Sequence, residues 1–253
     1  MKFAQFRCSV RLITILAICS VAFVANAQLV TNTYDFASVT ATSGTTDPTP
    51  PPTATGLTFG SFSSVGYIGS PNASARFSWQ TNALGGVNAI DDFSQFTGSI
   101  DPARYFEVTL TPQGGFSANI DFISFTIQRS GTGIRNYAVR SSLDSFSANL
   151  SASINPANAN LAVDGANNFQ WVFDANTSAQ NGSLLTLGSG FDTLTSPVTF
   201  RFYGWNAEQV AGTFSIDNVS FAESVTPVPE PSTFALAGLG LLTCWFGRRI
   251  RKA

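Results

Sequence analysis

Apolar and polar residues alternate with a period of two in several short runs of this 253-residue chain. Phe106, Val108 and Leu110 share one parity, as do Ile123, Phe125 and Ile127, and again Val198, Phe200 and Phe202. Successive side chains of an extended strand point to opposite faces, so each run predicts a strand with one face in a core. Other short runs are rich in aromatic and β-branched residues and are bounded by Gly, Asn, Asp, Ser or Pro, at 29–36, 76–80, 137–140, 169–173, 184–187 and 213–221. No stretch of residues 28–226 has helical apolar spacing over a useful length, and the abundance of Gly, Asn, Ser and Thr lowers helix propensity. The expectation is an all-β body, an antiparallel β-sandwich in which residues 33–36 lie near 214–221. Residues 38–56, rich in Thr, Ser and Pro, predict a loop inside that one domain.

The two ends depart from this pattern. Residues 1–11 carry Lys2, Arg7 and Arg11, residues 12–24 are apolar, and Ala25 and Ala27 are the small residues a signal peptidase reads before cutting ahead of Gln28. Residues 1–27 are therefore expected to form a signal helix that the translocon delivers and signal peptidase removes. At the other end, Val228-Pro229-Glu230-Pro231 precedes an apolar stretch at 232–247 and the basic cluster Arg248, Arg249, Arg251 and Lys252. Such a stretch spans about 24 Å as a helix against a hydrocarbon core of roughly 30 Å. The basic cluster, held on the cytoplasmic side, favours a transmembrane helix with the body outside. Residues 227–253 thus form a tail distinct from the 28–226 domain.

This tail resembles the PEP-CTERM sorting signal of Gram-negative bacteria, with Pro229, Glu230 and Pro231 as its motif. The resemblance implies an exosortase-type processing enzyme as partner, exopolysaccharide nearby, and a protein exported to the cell envelope or surface or released from it. Two prolines around one acid also give an extended segment whose backbone a protease can engage. A second resemblance lies in residues 212–221, which are similar to the closing strand of jelly-roll domains related to concanavalin-like lectins and carbohydrate-binding modules. It implies a jelly roll, and a calcium ion bridging first and last strands through Asp217 and Asp35.

Composition narrows the chemistry. Cys8, Cys19 and Cys244 all lie in the terminal segments, and the chain has no histidine. Disulfides, cysteine metal sites, His-dependent triads and imidazole-ligated metals are thereby excluded from the body. Between residues 28 and 226 stand six arginines, no lysine and fourteen acids, a formal charge of −8. An acidic, lysine-free surface argues against nucleic acid.

The strand at 198–205 offers the clearest candidate surface. With Val198, Phe200 and Phe202 in the core, its other face displays Arg201, Tyr203 and Trp205, and aromatic planes beside a charged fork suit a sugar. A strand central in the sandwich would instead bury that face under loops. Arg129, Arg135 and Arg140 cluster around Gly131-Thr132-Gly133 and are expected to satisfy strand ends and Asp partners. Glycosidase chemistry needs two carboxyl groups facing one bond, and nothing in the spacing of Asp91, Asp92, Glu107 or Glu208 brings such a pair together. The leading expectation is a non-catalytic carbohydrate- or surface-binding module without a required cofactor. A polysaccharide hydrolase or lyase using Asp and Glu, and a purely structural surface protein, are the alternatives. Deletion of residues 229–253 is expected to leave secretion intact and abolish envelope retention, measured by cell fractionation; equal retention of the truncated form contradicts the routing assigned to the tail.

Overall fold

A computed structural model describes residues 28–67 and 74–228 of the chain. The alternating runs become strands, and the chain order is β1 (Val30–Tyr34), β2 (Thr53–Ala54), β3 (Leu57–Phe59), β4 (Ser63–Val65), β5 (Phe77–Gln80), β6 (Tyr105–Pro112), β7 (Phe116–Arg129), β8 (Asn136–Ser141), β9 (Ala152–Ile154), β10 (Leu161–Val163), β11 (Phe169–Trp171), β12 (Gln180–Thr186), β13 (Val198–Trp205) and β14 (Thr213–Pro227). Helical structure among the described residues is confined to single 3-10 turns at Phe93–Gln95, Ser142–Asp144 and Ser189–Phe191.

Two antiparallel sheets result. One has the order β1-β14-β7-β12-β9 with β5 also on β14, and the other has β10-β11-β8-β13-β6-β3-β2 with β4 also on β6. The long strands change sheet at each step from β6 to β8 and from β12 to β14, which places consecutive strands on opposite sides of one core. β1 pairs with β14 in the register Thr33↔Ser220 and Tyr34↔Val219, so the first strand does lie against the last.

The parity of the sequence becomes the inner face. Phe106, Val108, Leu110, Ile123, Phe125, Ile127, Val198, Phe200 and Phe202 are all buried. Rings from the two sheets meet across the interior: Phe125 and Phe202 at 5.3 Å, Phe200 and Phe221 at 5.6 Å, Phe106 and Phe214 at 4.8 Å between centroids. Each such side chain contributes on the order of 1.5–3 kcal/mol on leaving water, and edge-to-face contact adds to that. Phenylalanine therefore does here what leucine does in most cores.

β7 and β14 are the longest strands and pair antiparallel from Phe214↔Arg129 to Pro227↔Phe116. They give the body two poles about 40 Å apart at the usual rise per strand residue. The chain enters β1 and leaves β14 at the pole of Phe116 and Pro227, since Val30 pairs with Glu223. The expected signal helix at 1–27 and transmembrane helix at 232–247 lie outside the described residues, as do Ala25, Ala27, Pro229, Glu230 and Pro231; Gln28 is the first residue described. Among the described residues no helix is long and apolar enough to cross a membrane.

Candidate binding recess

β13 runs between β6 and β8, with Arg201 opposite Glu107 on one side and Arg140 on the other, and with Trp205 opposite Asn136. Its outer parity is not an open aromatic face. Tyr203 is 1% exposed and Trp205 5%, and with Tyr105 and Ala138 they form a second apolar cluster packed against Ala83 and Ile100. A strand in the middle of a sheet presents two apolar faces here, and the loop of residues 81–104 covers the outer one. Arg201 is committed to the same layer: its Nε donates to Glu107 Oε2 at 3.0 Å, and its guanidinium lies 4.0 Å from the Tyr105 ring centre and 3.9 Å from that of Phe146. Burial opposes its charge, but the bond to Glu107 outweighs this and raises its pKa.

The covering loop has no periodicity to hold it, and polar contacts do so instead. At its near end Ala207 N donates to Ala83 O, Gly86 N to Ala207 O, and Gly98 N to the side-chain Oδ1 of Asn206 at 2.8 Å. A Cβ at Gly98 would stand 2.4 Å from that same oxygen, so the approach requires glycine.

The far end is held by two buried arginines. Arg135 Nε donates to Trp171 O at 3.0 Å, Nη1 to Ile90 O at 2.7 Å, and Nη2 to Val172 O at 2.8 Å and Asp91 Oδ1 at 3.1 Å. Its guanidinium also faces the rings of Phe93 and Phe96 at 5.4 and 5.2 Å. Arg129 Nη1 donates to Asp174 Oδ1 at 3.0 Å, and Nη2 donates to Glu208 Oε1 at 2.6 Å and to Gly131 O at 2.7 Å. Asp174 also accepts from Ala89 N at 2.9 Å, which ties the loop to both arginines. The cluster of Arg129 and Arg135 beside Gly131 and Gly133 therefore meets Asp partners. Asp174, the acid common to both arginines, was missed by sequence reasoning because it stands in a loop remote from them.

Glu208 and Asp174 form a pair of carboxyl groups, but in a buried setting, Glu208 being 1% exposed at its side chain. Glu208 Oε2 is buried and faces no N–H or O–H donor. Burial first, and then hydrogen bonding to Asp174, push the Glu208 pKa up to about 7. Burial opposes ionisation of Asp174 as well, but bonds from Glu208 and Arg129 prevail and lower its pKa. The pair thus shares one proton on the Glu208 side.

Between the loop and β8 an open recess of about 590 Å³ remains, with Gly98, Ser99, Ile100 and Pro102 on one wall, Arg140, Asn149, Ala166 and Asn168 on the other, and Trp205 between. Among the described residues the Trp205 indole N–H has no protein partner and is not among the buried unpartnered groups. Arg140, Asn149 and Asn168 are the residues that strand parity did not single out. Of the expected binding residues, Trp205 lines this recess while Tyr203 and Arg201 lie in the layer beside it.

Asp217 accepts from Asn218 N at 2.8 Å, at the bulge where Asn218 takes φ 48°, and Asp35 accepts from Ala37 N at 3.1 Å. Burial raises the Asp217 pKa and Asp35 adds to the shift, against Asn218 and Arg76. Among the described residues no group of three or more acid, Cys or His side chains is placed to hold a metal ion.

The family model for the PEP-CTERM protein-sorting motif matches residues 227–252, directly after β14. The motif marks an exported, surface-directed protein and implies exosortase-type processing. Two solved structures resemble the body, both from Porphyromonas gingivalis W83. The K1 cleaved adhesin domain of Lys-gingipain is 13% identical, with a TM-score of 0.33 over 76% of this chain and 97% of that one. The K3 cleaved adhesin domain of the same protein is 15% identical, with a TM-score of 0.29 over 61% and 76%. No match is found among curated proteins.

The shared proton has a measurable consequence. A folded-state pKa raised above the ordinary value means that the stabilisation from Glu208 is complete below about 4.5 and is lost as pH rises through about 7. Glu208→Gln mimics the protonated form, so its melting temperature relative to wild type is expected to rise between pH 5 and pH 8. A difference that stays flat over that range contradicts the shared proton.

Proposed function

We propose that the protein is a surface-displayed, non-catalytic binding module whose ligand is carbohydrate, held in the recess beside Trp205. The observation that carries the reading is a concave, mixed polar and apolar site lined by Trp205 together with the amides of Asn149 and Asn168 and the guanidinium of Arg140. Sugars present apolar C–H faces and many hydroxyls, and such a lining answers both. Arg201 and Tyr203 hold Trp205 and Arg140 in place from the adjoining layer.

The position of the recess fits display. Trp205 ends β13 near the pole where Arg129 and Phe214 pair, while the sorting motif follows β14 at the opposite pole. A tail engaged by the envelope, with the signal and transmembrane segments expected from the sequence, presents the recess outward. Signal peptidase, the translocon and an exosortase-type enzyme are the processing partners in this reading, and exopolysaccharide of the cell's own surface is the ligand at hand. Hydrolysis or lysis has less support, because the recess is lined by no Asp or Glu and the Asp174–Glu208 pair lies under Arg129.

Trp205→Phe keeps most of the buried ring and removes the N–H. It is expected to leave the melting temperature within a few degrees and to weaken binding to exopolysaccharide about fivefold, the worth of one hydrogen bond. Affinity electrophoresis of the purified exported protein against a polysaccharide panel provides the measurement. Unchanged binding by the folded variant, or no polysaccharide bound by wild type, overturns the proposal.

A further inference from the structure

The recess has one charged group in its lining, Arg140, and no acid. The body as a whole carries fourteen acids against six arginines. Arg104, Arg129, Arg135 and Arg201 each form an ion pair, whereas Arg76 and Arg140 form none among the described residues, and of these two only Arg140 lines the recess. Its Nε donates to Asn149 Oδ1 at 2.8 Å and its Nη1 to Phe146 O at 3.1 Å. Both acceptors are neutral, and among the described residues Nη2 has no protein partner.

The guanidinium is nevertheless held firmly. Asn149 Nδ2 donates to Asn168 Oδ1 at 2.7 Å, and Asn168 Nδ2 donates to Asp164 Oδ2 at 2.9 Å, so the relay that orients Arg140 ends on a carboxylate outside the recess lining. The Tyr203 ring faces the guanidinium at 5.7 Å. A fixed cation with unengaged donors, at the edge of a concave site, is complementary to a planar anion, and a guanidinium fork matches a carboxylate in particular.

We infer that the recess takes carboxylated sugar residues, uronates of an acidic polysaccharide, with Arg140 contacting the carboxylate and Trp205 the ring. This inference rests on the carbohydrate-binding reading above and narrows its ligand class. The neighbouring backbone of Gly98 and Ser99 forms the opposite wall, where ring hydroxyls would lie.

Polygalacturonate and its fully methyl-esterified form separate charge from sugar, because both present the same ring and linkage. The purified exported protein is expected to bind polygalacturonate at least tenfold more tightly than the ester or dextran, with affinity falling as salt is raised. Arg140→Gln is expected to remove that preference. Because the Arg140 substitution also touches the Asn149 relay, Ala166→Glu serves as a second variant: it places an acid at the exposed rim without disturbing buried contacts, and is expected to weaken polygalacturonate binding about tenfold or more at an unchanged melting temperature. Equal binding of the acidic and esterified polymers, or full polygalacturonate binding by Ala166→Glu, overturns the uronate assignment while leaving a carbohydrate module intact. Binding of none of the three polymers overturns both.

Discussion

A buried guanidinium must be satisfied or it destabilises everything around it. Arg135 meets that demand by reaching into two segments remote in sequence: Ile90 and Asp91 of the covering loop, and Trp171 and Val172 at the end of β11, from its own place just before β8. Removing any one of these acceptors leaves a charge in a desolvated place. The loop of residues 81–104 therefore has one position on the sheet, although little of it is regular structure. Arg129 repeats the device one strand away, and Asp174 joins the two. The recess depends on this clamp, since one of its walls is that loop and the other is β8 with the segments that follow it.

The same layer explains how an aromatic strand face can be buried and still support binding. Tyr105 and Tyr203 meet edge to face and cluster with Trp205, with Arg201 and Arg140 against the two tyrosine rings, which fixes their positions and, among the described residues, leaves the Trp205 N–H without a protein partner. A fixed donor set loses little freedom when a ligand arrives. A wholly open aromatic face would offer more area and less orientation.

Strand parity predicted the core well because burial on one face of β6, β7 and β13 leaves a period-two signature that needs no partner to be read. The pairing of β1 with β14 followed from sandwich closure. β2, β3 and β4 were not foreseen, being two or three residues long and stabilised by pairing with β6 or with each other. The fate of Tyr203 and Trp205 turned on a loop whose contacts are made by Gly98, Asn206 and Arg135, residues that carry no periodic signal. In the sequence Arg140 is one of a cluster of three arginines, and its lack of an ion partner among the described residues depends on where the fold places the acids. Asp217 and Asn218 stand at a bulge of β14, a local backbone feature with no periodic signature.

Amide hydrogen exchange in Arg135→Met compared with wild type tests most directly whether the arginine clamp holds the recess wall. The account predicts slow exchange across residues 84–100 in wild type and rapid exchange there in the variant, with β7 and β14 protected in both. Unchanged protection of the loop, or protection lost equally from both sheets, would contradict it.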